Sequence, residues 1–388
     1  MNSSSTSSPS SLNRRSWLKA SLGATAGLVY GTSLVNQLMA APVSETERKF
    51  FSDSFRSPFK IRLNSNENPY GPSENARKAI QQIISEGNRY PFEVMDDLKA
   101  LLAQKEGVSP DHIALGAGSA DLLCATGAAF GIEDGRILSA YPTFPLLMNY
   151  AEVFNVMWDK VNVNEKLEHD YQALASQVKD DTRLVFVCNP NNPTGTLVDP
   201  QIVKSFCEEV SKKVPVFSDE AYLEFLDPSQ QVSMVELVKK DQNVIVSRTF
   251  SKIYGLAGLR LGYIVAKPEL IKKISRYQAG FPISQMGIAT AKASLNDMAF
   301  VELSRSKNAE ARKHLTDYLD KKGLMYGKPY TNFVFFDPKA DAQQIMNKLA
   351  EKGIGIRVWD FNNRQWCRVS IGTLDEMKLF VRTFSDLV

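Results

Sequence analysis

Short apolar runs rich in β-branched residues alternate along this chain with stretches of helical spacing. Runs at 113–115, 136–138, 183–188, 214–217, 244–246 and 261–265 read as buried strands. Between them lie helix-like segments, such as 200–210 and the apolar stretch that begins at Leu122. Upstream, Ser73 is placed to cap a helix through Ile83 and Ile84, and a second amphipathic helix runs through Leu98 and Leu102. Strands alternating with helices, with polar residues gathered after the strands, predict an α/β fold around an open, mainly parallel sheet. Its ligand is expected at the carboxyl ends of the strands.

The pattern changes near residue 282. A long helical region to about 322 is followed by strand-like 332–336, helical 342–352, strand-like 354–358 and 367–371, and a terminal helix from Asp375. This predicts a second, smaller α/β lobe, joined by an arm at 62–84. The expected division is a leader at 1–44, an arm and part of the small domain at 45–88, a large domain at 89–282 and a small C-terminal domain at 283–388.

Composition narrows the function classes. Lys plus Arg number 46 against 43 Asp plus Glu, a balance that gives no nucleic-acid footprint. The four cysteines and three histidines are scattered, with neither metal-ligand spacing nor a legible disulfide framework. The first residues differ from the rest. A Ser-rich start leads to Arg14-Arg15 and then to an uncharged Ala/Gly/Leu-rich run from Ala20 to Ser44. Paired arginines before a mildly apolar stretch resemble a twin-arginine export signal. The expectation is export to the periplasm, either cleaved near Ala40-Ala41 or retained as a membrane anchor. If the leader does not act, the protein is cytoplasmic.

The chemistry concentrates around Lys252. The strand at 244–246 breaks into Ser247-Arg248-Thr249-Phe250-Ser251, reaches Lys252, and is followed by Gly255, Gly258 and Arg260. Such a lysine suits a Schiff base with a phosphorylated carbonyl cofactor. The hydroxyls and Arg260 would hold the phosphate dianion, and the glycines permit close approach. Small residues from Gly116 to Asp121, between a strand and a helix start, leave unpaired N–H groups that make a phosphate cradle, although such a turn can also serve tight packing alone. Asp219 would keep a pyridine nitrogen protonated, making the ring an electron sink. Asn192 and Tyr222 would bond its phenolate oxygen, and Lys252, once freed, would move the substrate's α-proton.

In this set the chain resembles the fold type I pyridoxal-phosphate enzymes, in the histidinol-phosphate aminotransferase-like branch of class I/II aminotransferases. The motifs are Leu63-Asn64-Ser65-Asn66-Glu67-Asn68-Pro69, Asn88-Arg89-Tyr90-Pro91, Asn191-Asn192-Pro193-Thr194-Gly195, Asp219-Glu220-Ala221-Tyr222, Thr249-Phe250-Ser251-Lys252 with Gly258-Leu259-Arg260, and Arg368-Val369-Ser370-Ile371-Gly372-Thr373. The resemblance implies pyridoxal 5′-phosphate held at Ser119, Ala120, Thr249, Ser251 and Arg260. It also implies Phe144 stacked on the ring and Arg368 on the substrate carboxylate. Tyr90 would reach the phosphate of the partner subunit's site in a homodimer with shared active sites. Two features depart from the pattern: Phe144 stands where those enzymes usually have Tyr, and the leader is foreign to cytosolic histidine synthesis. The function expected is transamination between an amino acid, or a histidinol-phosphate-like amine, and a 2-oxo acid. The alternative is a decarboxylase resembling threonine-phosphate decarboxylase. A non-enzymatic descendant would be expected to have lost Lys252 or Asp219, and both are present.

Overall fold

The computed structural model describes residues 59–280 and 283–388. The predicted leader and the first part of the arm, through residue 58, lie outside the described residues. The strands in chain order are β1 (Ile61–Arg62), β2 (Ile113–Gly116), β3 (Arg136–Tyr141), β4 (Met157–Asn162), β5 (Thr182–Cys188) and β6 (Val216–Asp219). They continue with β7 (Val244–Thr249), β8 (Gly262–Val265), β9 (Phe333–Phe336), β10 (Ile354–Gly355), β11 (Arg357–Phe361) and β12 (Arg364–Ser370).

Seven strands form one sheet in the order β2-β8-β7-β6-β5-β3-β4. All neighbours are parallel except at β8, which runs antiparallel to both β2 and β7. The central strands are buried on both faces, which is why they read as continuous apolar runs. Val185, Val187, Val216, Val244 and Val246 pack on one side. Leu184, Phe186, Phe217 and Ile245 pack on the other, against helices Ser119–Gly131, Leu146–Glu152 and Pro268–Ser275. Edge strand β4 is half-exposed and carries Asp159 and Lys160. Charges of this kind discourage pairing with another chain at the edge, and they also hide the strand from an apolar-run reading.

The C-terminal part forms a three-stranded antiparallel sheet, β11-β12-β9. The predicted long helix is two, Gln285–Leu295 and Met298–Lys322, and Asp297 caps the second by accepting from Phe300 N. The strand expected at 354–358 is likewise divided into β10 and β11. β10 pairs in parallel with β1, so the arm is stitched to the C-terminal part. Ser73 caps helix Glu74–Ile83 as expected, accepting from Ala76 N. That helix packs on Gln285–Leu295.

Candidate active site

Strands β5, β6 and β7 lie side by side, so the residues just past their ends converge. A cavity of about 530 Å³ opens there. It is lined by Ser119, Ala120, Phe144, Asn192, Asp219, Tyr222, Thr249, Ser251, Lys252, Arg260 and Arg368. Every predicted site residue except Tyr90 therefore meets in one place. Tyr90 is 71% exposed and does not line the cavity of its own chain.

One end of the cavity is built for a dianion. Helix Ser119–Gly131 starts here with no side-chain cap, its N-cap being Gly118 at φ 75°. A Cβ on Gly118 would meet Arg260 Nη2 at 2.4 Å, and one on Gly262 would meet Ser119 N at 2.4 Å. Glycine at both positions is what brings the guanidinium and strand β8 against the helix start. Arg260 itself takes a left-handed backbone, φ 53°, a conformation that is costly for a side-chain-bearing residue and is retained where surroundings impose it. Its guanidinium donates to the carbonyls of Ala117 and Ala257, both at 3.0 Å, and reaches Ser251 Oγ at 3.5 Å. Ser251 N donates to Thr249 Oγ1 at 3.1 Å. Hydroxyls, a guanidinium and a helix N-terminus thus face one point.

Asp219 ends β6 and is buried. Loss of water raises its carboxyl to about 7, opposed by the N–H of Ala221 and by the nearby charge of Lys252. Lys252 is pushed the other way, to about 8, mainly by burial and then by the like charge of Arg368. Its Nζ donates to the Ser65 carbonyl at 3.4 Å. Burial also raises the Tyr222 phenol, whose oxygen accepts from Asn66 Nδ2 at 2.9 Å.

At the other end, Arg368 donates through Nη1 to Asn192 Oδ1 at 2.7 Å and through Nη2 to the Asn64 carbonyl at 3.2 Å. Asn192 is steadied from behind by its neighbour Asn191, which accepts from Thr143 Oγ1 at 2.8 Å and donates to the Pro142 carbonyl at 3.0 Å. Burial lowers the Arg368 guanidinium to about 10, so it remains a cation at neutral pH.

Three residues of the site, Asn66, Arg357 and Trp359, carry no role in the sequence pattern. Asn66 holds Tyr222 and also accepts from Ser370 Oγ at 2.9 Å. Arg357 and Trp359 line the cavity from β11, and Arg357 stands directly across the ladder from Arg368. The turn-forming run 64–68 was a visible signal for the first. The β11 pair left none, because an Arg and a Trp in a strand look like surface and core.

A family model described as aminotransferase class I and II matches residues 58–384. The chain belongs to this family. Among its relatives is a histidinol-phosphate aminotransferase of Moorella thermoacetica, 36% identical over 84% of this chain and 85% of that protein. Histidinol-phosphate aminotransferase 1 of Cupriavidus pinatubonensis is 36% identical over 91% of this chain and 94% of its own length. Among solved structures, histidinol-phosphate aminotransferase from Sinorhizobium meliloti, in complex with pyridoxal-5′-phosphate, superposes with a TM-score of 0.79. It is 26% identical, over 90% of this chain and 97% of that one.

As a class I/II aminotransferase the protein uses pyridoxal 5′-phosphate, and the cavity fits that cofactor. A dianion-binding end, a desolvated carboxylate and an amine of lowered pKa share one space. Without a cationic partner, Asp219 is buried at a cost. A pyridinium N–H would restore its ionised form.

Proposed function

We propose that this aminotransferase moves the amino group of an amino acid, or of an amine resembling histidinol phosphate, to a 2-oxo acid, with Lys252 as attachment point and proton carrier. The observation that carries this reading is that Lys252 and Asp219, with protonation equilibria moved to about 8 and about 7, face one cavity. Pyridoxal phosphate supplies a conjugated ring that draws electrons from the substrate's α-carbon. Lys252, more easily deprotonated than an ordinary lysine, has a neutral fraction near physiological pH that could take the proton and return it. Asp219, ionised, would keep the ring nitrogen protonated. Tyr222 and the Nδ2 of Asn192 would bond the phenolate oxygen, Phe144 would stack on the ring, and Arg368 would take the substrate carboxylate. Ser119, Ala120, Thr249, Ser251 and Arg260 would hold the phosphate.

Arg357 adds a second cation beside the carboxylate site. It lies opposite Arg368 on β12, and both donate to the Asn64 carbonyl, each at 3.2 Å. Two cations side by side repel, and an anionic substrate group between them relieves that. Decarboxylation has less support, since the relatives from Moorella thermoacetica and Cupriavidus pinatubonensis are both histidinol-phosphate aminotransferases.

Tyr90 completes the phosphate site of a second copy in a homodimer, in keeping with its exposure and its place outside its own cavity. Residues 89–282 form the large domain, and 283–388 with the arm form the small one. The Arg14-Arg15 leader directs the folded protein out of the cytoplasm.

The test mixes holoenzyme with single amino donors, histidinol phosphate among them, and follows the cofactor band as it converts to the pyridoxamine form. The expected result is conversion with stoichiometric oxo product. Release of CO₂ without an oxo product would overturn transamination. Borohydride reduction followed by peptide mapping locates the attachment point, and a pyridoxyl group on any lysine other than Lys252 would overturn that assignment.

A further inference from the structure

Behind the strand ends that carry Asp219 and Lys252 lies a buried ion cluster that the chemistry above does not use. Arg248 sits on β7 between Ser247 and Thr249. Strand alternation sends its side chain to the face opposite that of Thr249. Its guanidinium stands 3.1 Å from Glu220 Oε2 and donates to Glu224 Oε1 at 3.0 Å. Glu220 immediately follows Asp219. Its carboxylate also accepts from Met234 N at 2.7 Å and Ser233 Oγ at 2.8 Å, and its backbone N donates to the Ser247 carbonyl at 3.0 Å.

The cluster reaches further. Tyr263, opposite Arg248 on β8, donates to Glu106 at 2.6 Å, and Lys105 pairs with the same carboxylate at 2.8 Å. Arg305 donates to the Glu224 carbonyl at 3.0 Å, and the buried Tyr254 feels the charges of Glu224, Arg248 and Glu106. Desolvating so many ions is expensive, and apolar packing in their place would often be as stable or more so. What such a cluster does supply is fixed geometry, because each charge must keep its partner.

We propose that Arg248, acting through Glu220, is a positioning residue for the Asp219–Lys252 pair: it fixes the end of β6 against the end of β7 and offsets the charge that Glu220 places beside Asp219. The inference rests on the roles proposed above for those two residues. Arg248 touches neither cofactor nor substrate in this arrangement. Its influence passes through two backbones, that of Glu220 into Asp219 and its own into Thr249.

The experiment compares holoenzymes carrying Glu220→Gln, Arg248→Met and Arg248→Lys. The readouts are kcat, KM, the pH midpoint of the bound cofactor's visible band and the melting temperature of the cofactor-free protein. In Arg248→Met, kcat should fall on the order of 10- to 100-fold, the scale of a displaced reacting group, with KM moving less. The two charge changes should act with opposite sign on the midpoint. Glu220→Gln removes a negative charge near cationic groups and lowers it; Arg248→Met removes a positive one and raises it. Arg248→Lys keeps the charge without the planar fork, so its midpoint should stay near the parent's while kcat recovers only in part. If Arg248→Met fails to fold, Glu220→Gln and Arg248→Lys carry the same test. Lowered melting temperatures with unmoved midpoints and unchanged kcat would overturn the positioning role. Failure of the underlying reading looks different: the unsubstituted enzyme would carry its cofactor on another lysine.

Discussion

Arg368 and Asn192, 176 residues apart in sequence, are joined by a buried 2.7 Å hydrogen bond in the wall of the cavity. Asn192 enters from the turn after β5 and Arg368 from β12 in the C-terminal sheet. The pair therefore fixes the arginine fork relative to the cofactor-binding residues. Charge-assisted hydrogen bonds of this type contribute about 1.5–3 kcal/mol each. Arg368→Lys should raise KM for the 2-oxo acid by roughly 10- to 100-fold, with cofactor affinity changed little. Steady-state kinetics with the acceptor varied would check this, and an unaltered KM would remove Arg368 from carboxylate binding.

Asp219→Asn should leave a coloured, cofactor-bound protein whose turnover falls on the order of 10³-fold, since a neutral amide does not stabilise a protonated pyridine. Single-turnover rates would measure it, and near-parental turnover would show that another acid serves the ring.

The same residue gives a pH signature without cofactor. Its folded-state value is raised to about 7 from 3.8. The folded chain therefore binds the proton more tightly than the unfolded one. That contribution to stability is fully present below 3.8 and is lost as pH rises through about 7. Cofactor-free Asp219→Asn should thus gain in melting temperature relative to the parent between pH 5 and pH 8. Parallel melting curves over that window would rule out Asp219 as the titrating group.

Tyr90→Phe should weaken cofactor binding by about 10- to 100-fold, the loss of one hydrogen bond to a charged phosphate. Co-refolding it with Lys252→Ala should, at limiting cofactor, restore activity that neither variant shows alone. One of the two sites in such a heterodimer has an intact Lys252 and an intact Tyr90 from its partner. Verified heterodimers showing only the average of both parents would place Tyr90 outside the shared site.

Replacing Arg14 and Arg15 with lysines should hold the precursor in the cytoplasm with catalysis intact. Fractionation of the native host tests this, and a cytoplasmic location for parent and variant alike would end the export reading.

Much of the fold and of the site is legible in the local sequence, and the parts that are not share a cause. The central strands were plain because burial on both faces writes an unbroken apolar run, as in β5 and β7. Lys252, Asp219 and Asn192 were legible because each follows such a run. The direction of β8 was not, since an apolar run records burial and not polarity. β4 was missed because its half-exposed edge carries charge. Arg357 and Trp359 escaped because their importance comes from the ladder pairing Arg357 with Arg368, a long-range register that no local pattern encodes. Asn66 lay inside a recognised motif, yet its bond to Tyr222 spans 156 residues.

That last contact bears on the order in which the enzyme comes into being. Asn66 bonds Tyr222 in the middle of the chain and Ser370 near its end, and Arg368 lies within the last strand. A nascent chain still awaiting β12 has its lysine and its aspartate but neither the tie that seats Asn66 nor the fork that reads the carboxylate. Recognition of the substrate carboxylate is consequently an event of the completed polypeptide. A ribosome stalled before residue 368 would display a protein with the reactive amine in its sequence and no fork to read a carboxylate.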